Sequence, residues 1–115
     1  MVDDNESVCI ATRRMLEYDG RKVEVAANAR DALALCEKQH FDVILVDYFM
    51  PGINGDQLAA AIKERLPNQR IILITADEET MEETENKPTG VDLVVGKPCG
   101  LKDLRGAIEK VLMRV

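Results

Sequence analysis

The chain is poor in the residues that several kinds of protein cannot do without. Among 115 residues there are one histidine, His40, and three cysteines, Cys9, Cys36 and Cys99. The cysteines are odd in number and show no C-x-x-C spacing. That argues against a disulfide framework or a zinc site and for reduced thiols in a cytoplasmic protein. His40 stands alone before an apolar run and reads as a solvated loop residue. No serine, cysteine and histidine arrangement pairs a nucleophile with a base, and no Gly-rich phosphate loop is present. The longest strongly apolar run, Val43 to Val46, is far short of a membrane span. Met1-Val2 leads directly into Asp3-Asp4, unlike the basic and apolar opening of a signal peptide. Positive charge is scarce too: 15 Lys+Arg face 21 Asp+Glu, a net charge of −6. A concentrated basic surface for nucleic acid is therefore excluded. The sequon Asn5-Glu6-Ser7 has no secretory context and reads as chance.

What is present is a domain-sized chain with 46% hydrophobic and 31% charged residues. That composition suits one folded domain over residues 1–115. Helical and strand periods alternate along it. Ser7–Tyr18 places Val8, Thr12, Met15 and Leu16 at helical spacing, with Cys9 beside them, until Asp19-Gly20 stops it. Lys22–Ala26 alternates as a strand. Asn28 caps a helix whose inner face is Ala29, Ala32, Leu33 and Cys36. Phe41–Val46 is a near-continuous β-branched and aromatic run, as in a strand covered on both faces. A loop over Met50–Gly55 leads into a helix from Asp56 that buries Leu58, Ala61, Ile62 and Leu66 and ends before Pro67. Ile71–Ile74 and Leu93–Val95 are further strands, separated by a helix-like stretch over 77–86 whose only substantial apolar residue is Met81. The last helix shows the clearest period: Leu101, Leu104, Ile108, Val111, Leu112 and Val115. Such alternation predicts an α/β domain with a parallel sheet, whose ligands bind at the carboxyl ends of the strands.

Asp3-Asp4 precede the first helix, Asp47 closes one strand, Thr75 closes the next, and Lys97 follows the last. A parallel sheet brings these positions to one edge. Three carboxylates in one cleft repel each other unless a cation balances them. Oxygen ligands without nearby histidine or cysteine suit Mg²⁺ rather than zinc. A cation, a lysine and a hydroxyl around a carboxylate suit a phosphoryl group placed on that carboxylate.

Val2-Asp3-Asp4-Asn5, Val46-Asp47-Tyr48-Phe49-Met50-Pro51-Gly52, Gly55, Ile74-Thr75-Ala76 and Lys97-Pro98 occur in order over essentially the whole chain. In these motifs the sequence resembles the receiver domain of two-component response regulators. The resemblance implies a flavodoxin-like, doubly wound, five-stranded parallel sheet of order 2-1-3-4-5 with five helices. It makes Asp47 the phosphoacceptor, taking its phosphoryl group from a sensor histidine kinase or a phosphotransfer protein. Asp4, Asp47 and the Phe49 carbonyl become Mg²⁺ ligands, with Asp3 acting mainly through water. Thr75, Lys97 and the N–H of Ala76 become phosphoryl-binding groups, and the bond before Pro98 is expected to be cis. On this reading the protein is a switch rather than a turnover enzyme.

Three departures from the family pattern matter. Only Met1 and Val2 precede Asp3, so the first strand looks truncated. Either it is very short or residues upstream of Met1 are missing from this sequence, and the second is the favoured expectation. Val94, three residues before Lys97, stands where receivers often carry an aromatic switch residue, so output must travel by another route. Phe49 and Asp77 hold the positions that tune hydrolysis. A bulky Phe49 ring is expected to shield the acyl phosphate from water. Two other readings stand beside this one. A receiver-like interaction module acting without phosphorylation is disfavoured by the retention of all five site residues. A Mg²⁺-dependent phosphohydrolase is disfavoured because Tyr48-Phe49 replaces its D-x-D motif.

The six excess charges are not diffuse. Asp77, Glu78, Glu79, Glu82, Glu83 and Glu85 have no base among them, and the other fifteen acids match the fifteen bases. Glu78/Glu82 and Glu79/Glu83 are like-charge pairs at helical i,i+4 spacing, each destabilising by roughly 0.2–0.5 kcal/mol. A short, mobile fourth helix is expected here; an ordinary solvated helix surface is the favoured reading, and a candidate output face, whose partner would present a basic surface, is the other.

Overall fold

The structure, a computed structural model, describes residues 1–48, 52–75, 91–96 and 101–113. The acidic stretch 77–86 lies outside the described residues, as do Phe49, Ala76, Asp77, Lys97 and Pro98. The elements run α1 (Glu6–Tyr18), α2 (Ala29–Lys38), β1 (Val43–Asp47), α3 (Gly55–Arg65), β2 (Arg70–Thr75), β3 (Leu93–Gly96) and α4 (Leu101–Leu112). The three strands form one parallel sheet in the order β1-β2-β3.

The helix ends follow from local chemistry. The Asn5 side chain accepts from Val8 N–H at 3.2 Å and starts α1. Asn28 does the same for α2, accepting from Asp31 N–H at 2.8 Å. In front of α3 the Gln57 side chain returns to accept the Asn54 N–H at 2.9 Å, satisfying a donor that the helix cannot. Beyond α1, Gly20 takes φ +84° while its N–H reaches Glu17 C=O at 2.9 Å. Glycine adopts that left-handed geometry without a Cβ penalty, so α1 stops there.

Alternate strand residues feed two apolar layers. On one face Ile44, Val46, Ile71, Leu73 and Val94 pack with Ala32 of α2 and Leu58, Ala59 and Ile62 of α3. On the other, Leu45, Ile72 and Ile74 pack with Leu16 of α1 and Leu104, Ala107, Ile108 and Val111 of α4. Both faces are covered, which is why these strands read as unbroken apolar runs rather than as alternation. Two inner-face expectations fail. In α3 Ala59 is buried where Ala61 is expected, and Leu66 is only half-buried. Val8 is 37% exposed, and α1 buries Cys9, Thr12 and Leu16 instead. Seven residues before Leu16, Cys9 lies within about 20° of it round the helix, whereas Val8, eight residues before, has drifted by about 80°.

The expectation of five strands and five helices is met by three strands and four helices among the described residues. Lys22–Ala26 forms no ladder; only Ala26 pairs, in a single parallel bridge with Val2, and Val2 bridges in turn to Val46. Val2 N–H donates to Leu45 C=O at 2.7 Å and Asp47 N–H to Val2 C=O at 2.9 Å. On the other side Ala26 N–H donates to Met1 C=O at 2.9 Å and Asp3 N–H to Ala26 C=O at 3.1 Å. Met1–Asp3 thus lies between the 24–26 segment and β1. Outside that bridge, the Met1 ammonium donates to Glu24 C=O at 3.0 Å. A cavity of about 510 Å³ opens there, lined among others by Leu16, Cys36, Phe41, Leu45, Ile108 and Leu112.

Polar contacts then fix the helices. Asp92 Oδ2 accepts the Ile71 N–H at 2.8 Å and meets Lys63 Nζ at 3.4 Å, tying α3 to the start of the β2–β3 pairing. Arg65 meets Glu37 at 2.7 Å between α3 and α2. Arg105 of α4 grips Asp19, at the end of α1, with both Nε (2.6 Å to Oδ2) and Nη2. That guanidinium holds the Asp19 carboxyl below its ordinary value of 3.8. A depressed carboxyl stabilises the folded state above the unfolded value and loses that contribution as pH falls through the lower folded value. An Asp19→Asn variant is therefore expected to unfold more easily than the wild type at pH 7. The gap should close as urea melts are repeated at and below pH 3.8. A difference that stays constant over that range would show that the ion pair contributes nothing.

Candidate functional site

The carboxyl ends of the strands converge as the sequence pattern requires. Asp47 is the last residue of β1, and Thr75 the last of β2. Asp47 pairs in register with Ile74, so Thr75 lies one residue further along the neighbouring strand. Thr75 in turn pairs with Gly96, the residue before Lys97. Asp3 enters from the short segment on the other side of β1, followed by Asp4.

Three carboxylates meet here. Asp3, Asp4 and Asp47 each present an oxygen within 4.8 Å of the others. Asp3 is 2% exposed, Asp47 4% and Thr75 not at all, whereas Asp4 is exposed. The site is therefore a pocket with a buried floor and one open acidic wall. At such separation two unit charges repel by about 3 kcal/mol at an effective dielectric constant of about 20.

Backbone bonds hold the acids in place against this repulsion. Asp3 N–H is tied to Ala26 and Asp47 N–H to Val2, so each acid is anchored across a strand pair. The Asp3 carboxylate accepts the Asn5 N–H at 2.9 Å while the Asn5 side chain starts α1. The Cys9 thiol donates to Asp3 C=O at 3.2 Å in the buried interior. Burial, together with the Asp3 charge beside it, pushes the Cys9 thiol above its ordinary value, so it remains a protonated donor. On the loop side, Tyr48 N–H donates to Ile74 C=O at 2.9 Å and Gly55 N–H to Tyr48 C=O at 2.7 Å.

Of the expected site residues, the structure brings Asp3, Asp4 and Asp47 together and places Thr75 beside them at the same sheet edge. Phe49, Ala76, Asp77, Lys97 and Pro98 lie outside the described residues. Val94 is buried on the sheet face that carries α2 and α3. Sequence reasoning missed the contact of Cys9 with the Asp3 backbone. The available signal was their six-residue separation across a helix start, which brings the thiol of the first turn back over the strand end.

The sequence profile of the family described as the response regulator receiver domain matches residues 1–109. The chain belongs to that family. It is 28% identical over 114 residues to the response regulator MprA of Mycolicibacterium vanbaalenii, covering 99% of this chain and 49% of that protein. It is 35% identical over 121 residues to the virulence sensor protein BvgS of Bordetella bronchiseptica, covering 99% of this chain and 10% of that protein. The chain thus spans about half the length of the regulator and a tenth of the sensor. Among solved structures, the chemotaxis protein CheY4 of Vibrio cholerae superposes with a TM-score of 0.88 at 30% identity, covering 96% of this chain and 94% of that one. Receiver domains are signalling switches of two-component systems, not turnover enzymes on external substrates. They typically bind Mg²⁺ at an acidic pocket, and the three aspartates are a donor set of that kind. No helix among the described residues is long and apolar enough to cross a membrane.

Three crowded carboxylates repel one another and form a donor set that suits a divalent cation. In metal-free buffer Asp47→Asn is expected to be more stable than the wild type by about 1 kcal/mol, a rise of roughly 4–8 °C in melting temperature. Added Mg²⁺ should raise the wild type, by about 2.7 kcal/mol at 100 times its dissociation constant, and leave the variant nearly unchanged. Calorimetry with and without Mg²⁺ checks both; a wild type indifferent to Mg²⁺ would count against the cation site.

Proposed function

We propose that this domain is a phosphoacceptor switch in which Asp47 takes a phosphoryl group from a sensor histidine kinase or a phosphotransfer protein. The observation that carries this reading is the meeting of Asp3, Asp4 and Asp47 oxygens within 4.8 Å, with buried Thr75 closing the adjacent strand. A carboxylate oxygen of Asp47 forms the bond to phosphorus as the donor's phosphorus–nitrogen bond breaks, and the leaving imidazole keeps the electron pair.

The remaining residues divide the work of positioning and charge balance. Asp4, Asp47 and the Phe49 carbonyl hold Mg²⁺, with Asp3 acting mainly through water. Bound there, the cation offsets the charge on the transferring oxygens. Thr75, the Ala76 N–H and Lys97 bind those oxygens, and a cis bond before Pro98 aims Lys97. Thr75 follows the phosphoryl group and thereby reports it. Val94 offers no ring to follow Thr75, so the signal passes through backbone shifts towards the segment 77–86. Phe49 and Asp77 set how long the phosphoryl group lasts, the Phe49 ring by hindering water.

Relatives include regulators and sensor proteins, such as MprA and BvgS, that are much longer than this chain. Kinase-side and output-side partners follow for this domain by analogy. The six acids of 77–86 favour an output partner with a basic surface at that contact. Binding of such a partner should weaken as ionic strength rises and when Glu78, Glu79, Glu82 and Glu83 are changed to glutamine; indifference to both would remove the segment from the output face.

The function itself is tested with acetyl phosphate and Mg²⁺. The wild type should gain one phosphoryl group, about 80 Da by mass spectrometry, with acetate as the leaving group. Asp47→Ala should gain none, and Phe49→Asn should lose its label faster than the wild type. An unlabelled wild type would favour an interaction module that works without phosphorylation. A label that survives in Asp47→Ala would place the acceptor elsewhere.

A further inference from the structure

Gly55 opens α3 eight residues after Asp47, and its N–H donates to Tyr48 C=O at 2.7 Å. It is buried, and it lies against the backbone by which β1 leaves the sheet. A Cβ built on Gly55 would fall 2.5 Å from the Asp47 carbonyl oxygen, 2.9 Å from Tyr48 Cα and 2.8 Å from Leu73 Cδ1. Carbon atoms in ordinary contact stand about 3.5–4.0 Å apart, so none of the three distances is tolerable. The Leu73 contact is with the tip of a flexible side chain and could turn away. The other two are with backbone that cannot.

That backbone has no slack on its far side. Asp47 N–H is bonded to Val2, and Tyr48 N–H to Ile74. A push from Gly55 therefore cannot be absorbed by sliding the strand along the sheet. It must displace the Asp47–Tyr48 backbone or push α3 away from it, and Asp47 carries its carboxylate on that backbone. Glycine is needed here for the space beside Asp47 and not for a turn, since Gly55 lies in regular helix, unlike Gly20 and Gly52 with their positive φ.

We propose that Gly55 is a positioning residue for the Asp47 carboxylate, setting by close backbone contact the geometry in which Asp47 shares a cation with Asp3 and Asp4. The inference rests on the proposed role of Asp47 and deepens it. Gly55 contributes nothing chemically; it leaves room for the strand end to come close enough.

Gly106 supplies a matched control. It lies within α4, and a Cβ there meets nothing within 4 Å. The experiment compares the wild type, Gly55→Ala, Gly106→Ala and the double variant Gly55→Ala/Leu73→Val. Each is assayed for folding by circular dichroism at 10 °C, for Mg²⁺ affinity by titration calorimetry, and for the rate of labelling by acetyl phosphate. Gly55→Ala should fold, bind Mg²⁺ at least tenfold more weakly and label at least tenfold more slowly. Gly106→Ala should match the wild type in both. Trimming Leu73 relieves the side-chain contact but leaves the backbone one, so the double variant should stay as impaired as Gly55→Ala.

Wild-type Mg²⁺ affinity in Gly55→Ala would overturn the inference. Recovery in the double variant would overturn it too, because the damage would then lie in core packing. A Gly55→Ala protein that does not fold at 10 °C would show that the contact serves the fold as a whole, and positioning of Asp47 would fall. A wild type that binds Mg²⁺ but takes no label would overturn the phosphoacceptor reading alone, with the inference still decided by the Mg²⁺ affinities. A wild type that binds no Mg²⁺ would overturn both.

Discussion

The constraint on which this structure turns is the holding of like charges where they repel. Asp3, Asp4 and Asp47 share a space less than 5 Å across, and two of them are almost wholly buried. Nothing in the carboxylates themselves favours this. The arrangement persists because the backbone of each buried acid is bonded to a neighbour: Asp3, on the segment beside β1, to Ala26, and Asp47, at the end of β1, to Val2. The apolar layers on both faces of the sheet bear the cost, with Val46, Ile71, Ile72, Leu58 and Val111 fully excluded from solvent. Truncating one such side chain typically costs about 2–5 kcal/mol, comparable to the repulsion between two of the acids. Core and pocket are thus coupled: the apolar layers stabilise the fold that holds the three acids together.

That coupling explains what could be read from the sequence and what could not. The continuous runs Val43–Val46 and Ile71–Ile74 identify strands buried on both faces, and the structure places them side by side. Asn28 is legible as a cap because an amide side chain before a helical period has few other uses. The convergence of Asp3, Asp47 and Thr75 is legible as well, since parallel strands all end at the same edge. In each case the pattern is local or follows from one topological rule. The inner face of α1 is a different matter. Val8 and Cys9 both fit an apolar stripe, and only the angle at which α1 meets Leu45 and Ile72 through Leu16 selects Cys9.

Lys22–Ala26 shows a second kind of limit. Its alternation is that of a strand, and Val23 does pack towards α1 and α4. Yet a strand exists only where a partner offers hydrogen bonds, and the partner here is Met1–Asp3. Bridge pairing is confined to Ala26, and the Met1 ammonium adds one bond to Glu24 C=O. Propensity describes what a segment can do, while the neighbour decides whether it does it. Gly55 belongs to the same category. In the sequence it is one glycine after a loop, and its meaning lies in a 2.5 Å approach that depends on how α3 sits against β1.

Val2 joins these two themes. It is the single residue that bridges both Ala26 and Val46, and its side chain is 4% exposed within the layer shared by α2 and α3. Its carbonyl accepts from Asp47, and the residue after it is Asp3. One residue therefore links β1 to Ala26 and fixes the spacing between two of the three acids. A disturbance at Val2 reaches the pocket through the four backbone hydrogen bonds that tie Met1–Asp3 to Ala26 and to β1. The geometry of the acids is only as firm as that bridge.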